Sequence, residues 1–135
     1  MHISPAIQNP DVRDVFSALP KAAQAHLATL RNVIFDFSSN SQQVGKIEEC
    51  LKWGQISFVP YAPKSGTTIR FDYDGTADRL GLLVHCQTRL IDDFRHEFPN
   101  AFEYEKNRGL WFSCKEKLDL DLLKSFIFRA LTYHL

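Results

Sequence analysis

Residue types that bind anions occur on neighbouring extended segments of this 135-residue chain. They are Lys52, Arg70, His85 and Trp111. Strict alternation along the predicted strands places all four on one open face of a sheet. Two fixed cations beside an indole can hold a carboxylate or phosphate and stack its organic part. The pattern therefore predicts a ligand-binding site, and its margins would be formed by Trp53, Gly54 and Arg108.

The two cations of this predicted site also have a purely structural interpretation. Lys52 and Arg70 could pair across strands with Glu48, Asp72 or Glu103. Cross-strand pairs of opposite charge stabilise sheets and need no ligand. This alternative stays open at the level of sequence.

Cys50 suggests a second chemistry, because a thiolate beside an imidazole is a nucleophile. By the same alternation, Cys50 and His85 both point to the open face. No third group is identifiable to orient the histidine, and strand cysteines also serve packing alone. We assign no catalytic residue and retain a thiol-dependent enzyme centred on Cys50 as an alternative function.

Acidic residues raise the question of a metal site. One-turn spacing on a predicted helix brings together Asp92, Asp93, His96 and Glu97. Oxygen and imidazole ligands suit iron, but a solvated helix face of mixed charge explains the same pattern, and we favour that explanation. A second acidic segment is a turn that contains Asp72, Asp74 and Asp78. It lacks the glycine and glutamate spacing of a calcium loop. We assign no metal ligand and no cofactor, with iron kept as an alternative.

Composition restricts the partners. Sixteen Lys and Arg balance sixteen Asp and Glu, so no net positive field attracts nucleic acid or anionic lipid. The apolar runs are too short to span a bilayer and the chain opens with no hydrophobic signal segment, so we expect a cytoplasmic protein. Three widely spaced cysteines are expected to be reduced thiols. A chain without net charge can self-associate, which leaves a homodimer among the expected partners.

Periodicity predicts the elements that position these residues. Helical spacing predicts a short helix that is capped from Asn9 and closes before Pro20, then a long helix over 21–37. Extended segments are predicted at 47–53, 55–59, 67–73, 80–86, 102–105 and 110–113. Two further helices are predicted, one capped by Thr88 and one by Asp119.

This order of elements is typical of an α+β fold. We expect a single domain over residues 1–135, in which residues 1–19 form an N-terminal extension and a short helix. Its centre would be a twisted antiparallel sheet of about five strands. The N- and C-terminal helices would pack on one face, which leaves the other face for solvent or a ligand.

Four segments carry a resemblance to known proteins: 49–55, 66–71, 107–109 and 129–134. They resemble the YdhG-like family, which comprises small bacterial domains of unknown function. Lys-Trp-Gly at 52–54 is the most specific piece, although the family commonly has proline where this chain has Ile56. The resemblance implies an α+β fold. One member is described as a frataxin-like iron chaperone, which would imply non-catalytic iron delivery, but no agreed set of iron ligands maps onto this sequence.

Together, these patterns favour a small cytoplasmic binding or accessory domain without catalytic activity. It would engage a small anionic molecule or a protein partner on the open sheet face. An iron chaperone and a thiol-dependent enzyme are the alternatives from other functional classes.

Overall fold

The structure is a computed structural model that describes residues 3–135. Over these residues the chain forms four helices and six strands. Their bounds, in chain order, are α1 (Pro10–Ala18), α2 (Lys21–Asn40), β1 (Lys46–Lys52), β2 (Gln55–Ala62), β3 (Ile69–Asp74), β4 (Arg79–Leu83), α3 (Leu90–Glu97), β5 (Glu103–Glu105), β6 (Gly109–Ser113) and α4 (Leu120–Leu131).

All six strands belong to one antiparallel sheet in the order β1-β2-β3-β4-β6-β5. The predicted α+β fold with its antiparallel sheet is therefore confirmed, although the number of strands is six rather than about five. Each of the six strands overlaps one of the six predicted extended segments, and the shortest, β5, has only three residues and lies at the edge of the sheet.

Alternation along the strands separates two faces of the sheet. One face packs against the helices, and its buried residues include Ile56, Phe58, Ile69, Phe71, Leu80, Leu82 and Leu110. The helices cover this face with Leu27, Leu30, Ile34, Phe126, Ile127 and Leu131. The register pairs Ser57 with Arg70 and Gly81 with Trp111 on the opposite face.

The predicted caps of two helices are confirmed. The Asn9 carboxamide oxygen accepts from the backbone N–H of Asp11 at 2.9 Å, which satisfies a free donor of α1. Asp119 accepts from the backbone N–H of Leu122 at 3.4 Å and caps α4.

Two expectations around residues 80–90 are wrong. The strand predicted to reach residue 86 ends at Leu83, because its partner β6 begins at Gly109, directly opposite Leu83. His85 therefore lies in a loop. The Thr88 hydroxyl does not cap α3 but donates to the His85 carbonyl at 2.8 Å, and α3 begins only at Leu90.

A buried ion pair joins α2 to β1. The Arg31 guanidinium donates to both carboxylate oxygens of Glu49, at 2.6 and 2.9 Å, and the two side chains are 3% and 9% exposed. The same guanidinium donates to the Pro5 carbonyl and lies over the Phe35 ring. These contacts hold the segment before α1 against the helix and the sheet.

Length and apolarity together decide whether a helix can cross a bilayer. Within residues 3–135, no helix combines the length and the apolarity that a membrane span needs.

Candidate functional site

A cleft of about 260 Å³ opens beside the β1–β2 hairpin and the start of β3. Its lining consists of Lys52, Trp53, Thr67, Thr68, Arg70 and His85. Four of the seven residues that the sequence predicts for the site therefore share one cleft. The two threonines were not predicted.

Arg70 is the second residue of β3, opposite Ser57 of β2 and Leu83 of β4. Its side chain is half-buried, and Nη1 donates to the amide oxygen of Gln55 at 3.2 Å. This bond orients the planar guanidinium without neutralising its charge, so its remaining N–H groups keep their capacity for a carboxylate or phosphate.

The alternative of cross-strand ion pairs is wrong for both cations. Among residues 3–135, no carboxylate oxygen lies within 4 Å of a charged nitrogen of Lys52 or Arg70. Asp72 instead accepts from the backbone N–H of Tyr73 at 3.0 Å. Glu103, on the edge strand β5, pairs with Arg79 of β4, also at 3.0 Å.

Trp53 belongs to the turn between β1 and β2 rather than to a strand. Lys52 pairs with Gln55, so the loop has two residues, and both have positive φ: 57° at Trp53 and 73° at Gly54. Positive φ at both positions defines a type I′ turn, whose twist matches that of the strands. Trp53 is 89% exposed beside the cleft.

His85 contributes a hydrogen-bond donor to the cleft. Its Nδ1 accepts from the backbone N–H of Gln87 at 3.1 Å. In the neutral ring the proton therefore resides on Nε2, which can donate. The ring is exposed, because the chain leaves the sheet after Leu83.

The threonine wall of the cleft is fixed by the end of α4. The backbone N–H of Thr67 donates to the Ala130 carbonyl at 2.9 Å, and the Ser65 hydroxyl donates to the Leu131 carbonyl at 2.8 Å. A Cβ on Gly66 would lie 2.3 Å from the Ala130 oxygen, so only glycine fits this approach.

A sequence signal existed for one of the two threonines. Thr68 alternates with Arg70 along the strand and so faces the same side. Thr67 had no such signal, because its position depends on a contact with α4 more than sixty residues away in sequence.

Trp111 and Arg108 do not line the cleft. The Trp111 ring lies against Gly81, is only 7% exposed, and donates from Nε1 to Glu105 at 3.0 Å. The Arg79 guanidinium stacks 4.6 Å above the ring. Arg108 pairs with Glu105 at 3.4 Å. Trp111 does lie on the predicted face, but β6 is two strands from β3, and its packing there is structural.

Cys50 is half-buried on β1, next to Ser57 of β2. Burial raises the pKa of the Cys50 thiol, and the charge of Glu48 raises it further. A nucleophilic cysteine needs a lowered pKa. Cys50 also does not belong to the lining of the cleft that contains His85.

The acidic residues of α3 face arginines. Asp92 pairs with Arg95 at 2.9 Å and Asp93 approaches Arg89 at 3.8 Å. Glu97 binds Arg129 of α4 at 2.5 Å, and this hydrogen bond lowers the pKa of the Glu97 carboxyl. In the part of the chain that the structure describes, no group of three or more His, Cys, Asp or Glu side chains could hold a metal ion.

Comparison with known proteins gives one solved structure of similar architecture. No family model matches the sequence, and no curated protein matches it. The matching solved structure is that of YdhG from Bacillus subtilis, a protein of the DUF1801 family. It aligns over 90% of this chain and 89% of its own, with a TM-score of 0.58 and 16% sequence identity.

The chain has a YdhG-like fold. The fold implied by the sequence resemblance is thus confirmed over nearly the whole chain. At 16% identity the likeness establishes the fold alone, so the function has to be argued from the cleft itself.

Proposed function

We propose that this protein is a binding domain that holds a small organic anion in the cleft defined by Lys52, Trp53, Thr67, Thr68, Arg70 and His85. One observation carries the proposal: Arg70 and Lys52 line the same cleft, and among the described residues no carboxylate neutralises either of them. Unpaired cations in a concave site favour an anionic ligand.

Arg70 would make the principal contact. Its guanidinium is half-buried and oriented by Gln55, so it can offer two parallel N–H groups to a carboxylate or phosphate. Partial burial strengthens such an interaction relative to bulk water. Lys52 is exposed and adds a mobile point charge.

The neutral donors of the cleft support the same ligand class. Nε2 of His85 carries a proton in the tautomer that its Nδ1 contact selects, and Thr68 has a hydroxyl on the Arg70 side. The volume of about 260 Å³ is below the roughly 300 Å³ at which drug-sized ligands begin to fit. A single anionic group with a small organic body is therefore favoured.

Substitution of Arg70 tests the proposal. We expect Arg70→Gln to weaken binding of inorganic phosphate and benzoate by about 1.5–3 kcal/mol, because the charged donor is lost. Arg70→Lys keeps the charge but loses the fork, and should lie between the wild type and Arg70→Gln. Lys52→Gln should cost less. Binding can be measured by NMR titration of the backbone amides and by calorimetry.

Arg108→Gln is the matched control, since Arg108 is an exposed arginine outside the cleft. It should leave anion affinity unchanged. If wild-type protein shows no binding of either anion at millimolar concentration, or if the shifted amides lie away from Arg70, the proposal is wrong.

A further inference from the structure

Trp53 has a backbone conformation that is unfavourable for its residue type. Its φ of 57° lies in the left-handed region, which bulky side chains rarely adopt. Type I′ turns favour Asn or Asp at this position and Gly at the next, and the chain has the Gly but not the Asn. Such conformations cluster at binding sites.

Exposure of the Trp53 side chain to water is also unfavourable for the folded protein without a ligand. Trp53 is 89% exposed, far more than its apolar ring would favour. Within residues 3–135, no ring and no guanidinium packs on its indole. Neither the turn nor the core benefits from a tryptophan here.

The position of Trp53 gives the ring a use. It lines the same cleft as Arg70 and Lys52, so an anion held by these cations has an indole beside it. An exposed aromatic face stacks well on a planar ring and poorly on a puckered one. The type I′ turn places the indole at the tip of the β1–β2 hairpin.

We infer that Trp53 is a stacking platform, and that the ligand is an anion attached to a single planar aromatic ring. This inference rests on the proposed function, which supplies the anion contact. It adds the ligand class: an aromatic phosphate or carboxylate of about the size of phenyl phosphate.

Phenyl phosphate and cyclohexyl phosphate separate stacking from charge, because they share the anion and the ring size but only one is planar. Wild-type protein should bind phenyl phosphate about tenfold more tightly, the order of one base–aromatic stack. Trp53→Asn should abolish this preference and retain binding of cyclohexyl phosphate. Trp53→Phe should retain a part of the preference.

The melting temperature of Trp53→Asn supplies an independent measurement. Asn suits the turn, so this variant should melt a few degrees above wild type while it loses the ring preference. A lower melting temperature would show that Trp53 stabilises the fold and would overturn the inference. Equal wild-type affinity for the two phosphates would overturn it as well, and the proposed function would stand. Absence of all binding, including inorganic phosphate, would remove both.

Discussion

At the scale of single residues, two arginines show that a charge shielded from water can be paired with a carboxylate or left unpaired. Arg31 is almost fully buried and has a bidentate partner in Glu49. Arg70 is half-buried and has only the neutral Gln55 amide. A paired buried charge serves architecture, whereas an unpaired, oriented one retains its capacity to bind an anion.

Glu49→Gln should destabilise the protein strongly. The substitution leaves the Arg31 guanidinium buried without a counter-charge, which typically costs about 3–5 kcal/mol. The measurement is the free energy of unfolding from urea denaturation at pH 7. Glu48→Gln is the control, because Glu48 is the exposed neighbour on the opposite face, and it should change stability by less than about 0.5 kcal/mol. Equal effects of the two substitutions would show that the pair contributes little.

Ionisation of Tyr73 is expected to lower the stability of the folded protein at alkaline pH. The Tyr73 hydroxyl donates to Asp78 at 2.7 Å, and this bond, with desolvation and the charge of Asp78 adding to it, raises the pKa of Tyr73 to about 12. A raised folded-state pKa means that the bond contributes fully below the unfolded value of about 10 and is lost as pH rises towards 12. The melting temperature of wild type should therefore fall more steeply between pH 10 and 12 than that of Tyr73→Phe. Parallel curves would contradict this assignment.

At the scale of elements, the site depends on where strands end. Lys52 ends β1 and Trp53 follows in the turn, Thr68 immediately precedes β3 and Arg70 is its second residue. The early end of β4 leaves His85 in a loop. Each of these side chains lies at the end of a strand or within two residues of one. On the neighbouring strands, Gly81 of β4 instead packs against Trp111 of β6.

The contact between β4 and β6 leads to a prediction at Gly81. A Cβ at this position would lie 2.7 Å from ring atoms of Trp111, which is closer than atoms can approach without displacement. Gly81→Ala should therefore destabilise the protein by about 1–3 kcal/mol and change its near-ultraviolet circular dichroism. Gly75→Ala is the matched control, since its Cβ would meet the Tyr73 ring at an ordinary 3.5 Å. Similar stability of the two variants would show that Trp111 moves aside easily.

At the scale of the whole molecule, the helices cover one face of the sheet and leave the other to its own side chains. Charge is balanced overall, so the unpaired cations of the cleft are not part of a net positive field of the whole molecule. A surface for polyanions would have to neutralise many phosphates together, whereas the proposed small-anion site needs only the cations of the cleft.

Duplex DNA should accordingly show no specific or salt-sensitive binding. Too few cations converge to release a substantial number of counterions. Fluorescence anisotropy with a labelled duplex at 50 and 200 mM salt measures this. Submicromolar affinity that weakens steeply over this range would contradict the prediction.

The sequence by itself determined the element order, the face of each strand and most of the cleft. Alternation of Ile69 and Phe71 with Thr68 and Arg70 is a local property of the chain, so it predicted which side chains share the open face. Balanced composition likewise predicts that nucleic acid is not a partner, and the duplex titration tests that prediction. These inferences need only the period of a strand and the count of charges.

Only the tertiary structure decided which residues of that face meet. Alternation assigns a face but not a distance along it, so Trp111 was grouped with Arg70 although two strand spacings separate their strands. The pairing of Arg31 with Glu49 and the anchoring of Thr67 to α4 also link distant segments. Contacts of this kind depend on how helices pack on the sheet, and no local period encodes them.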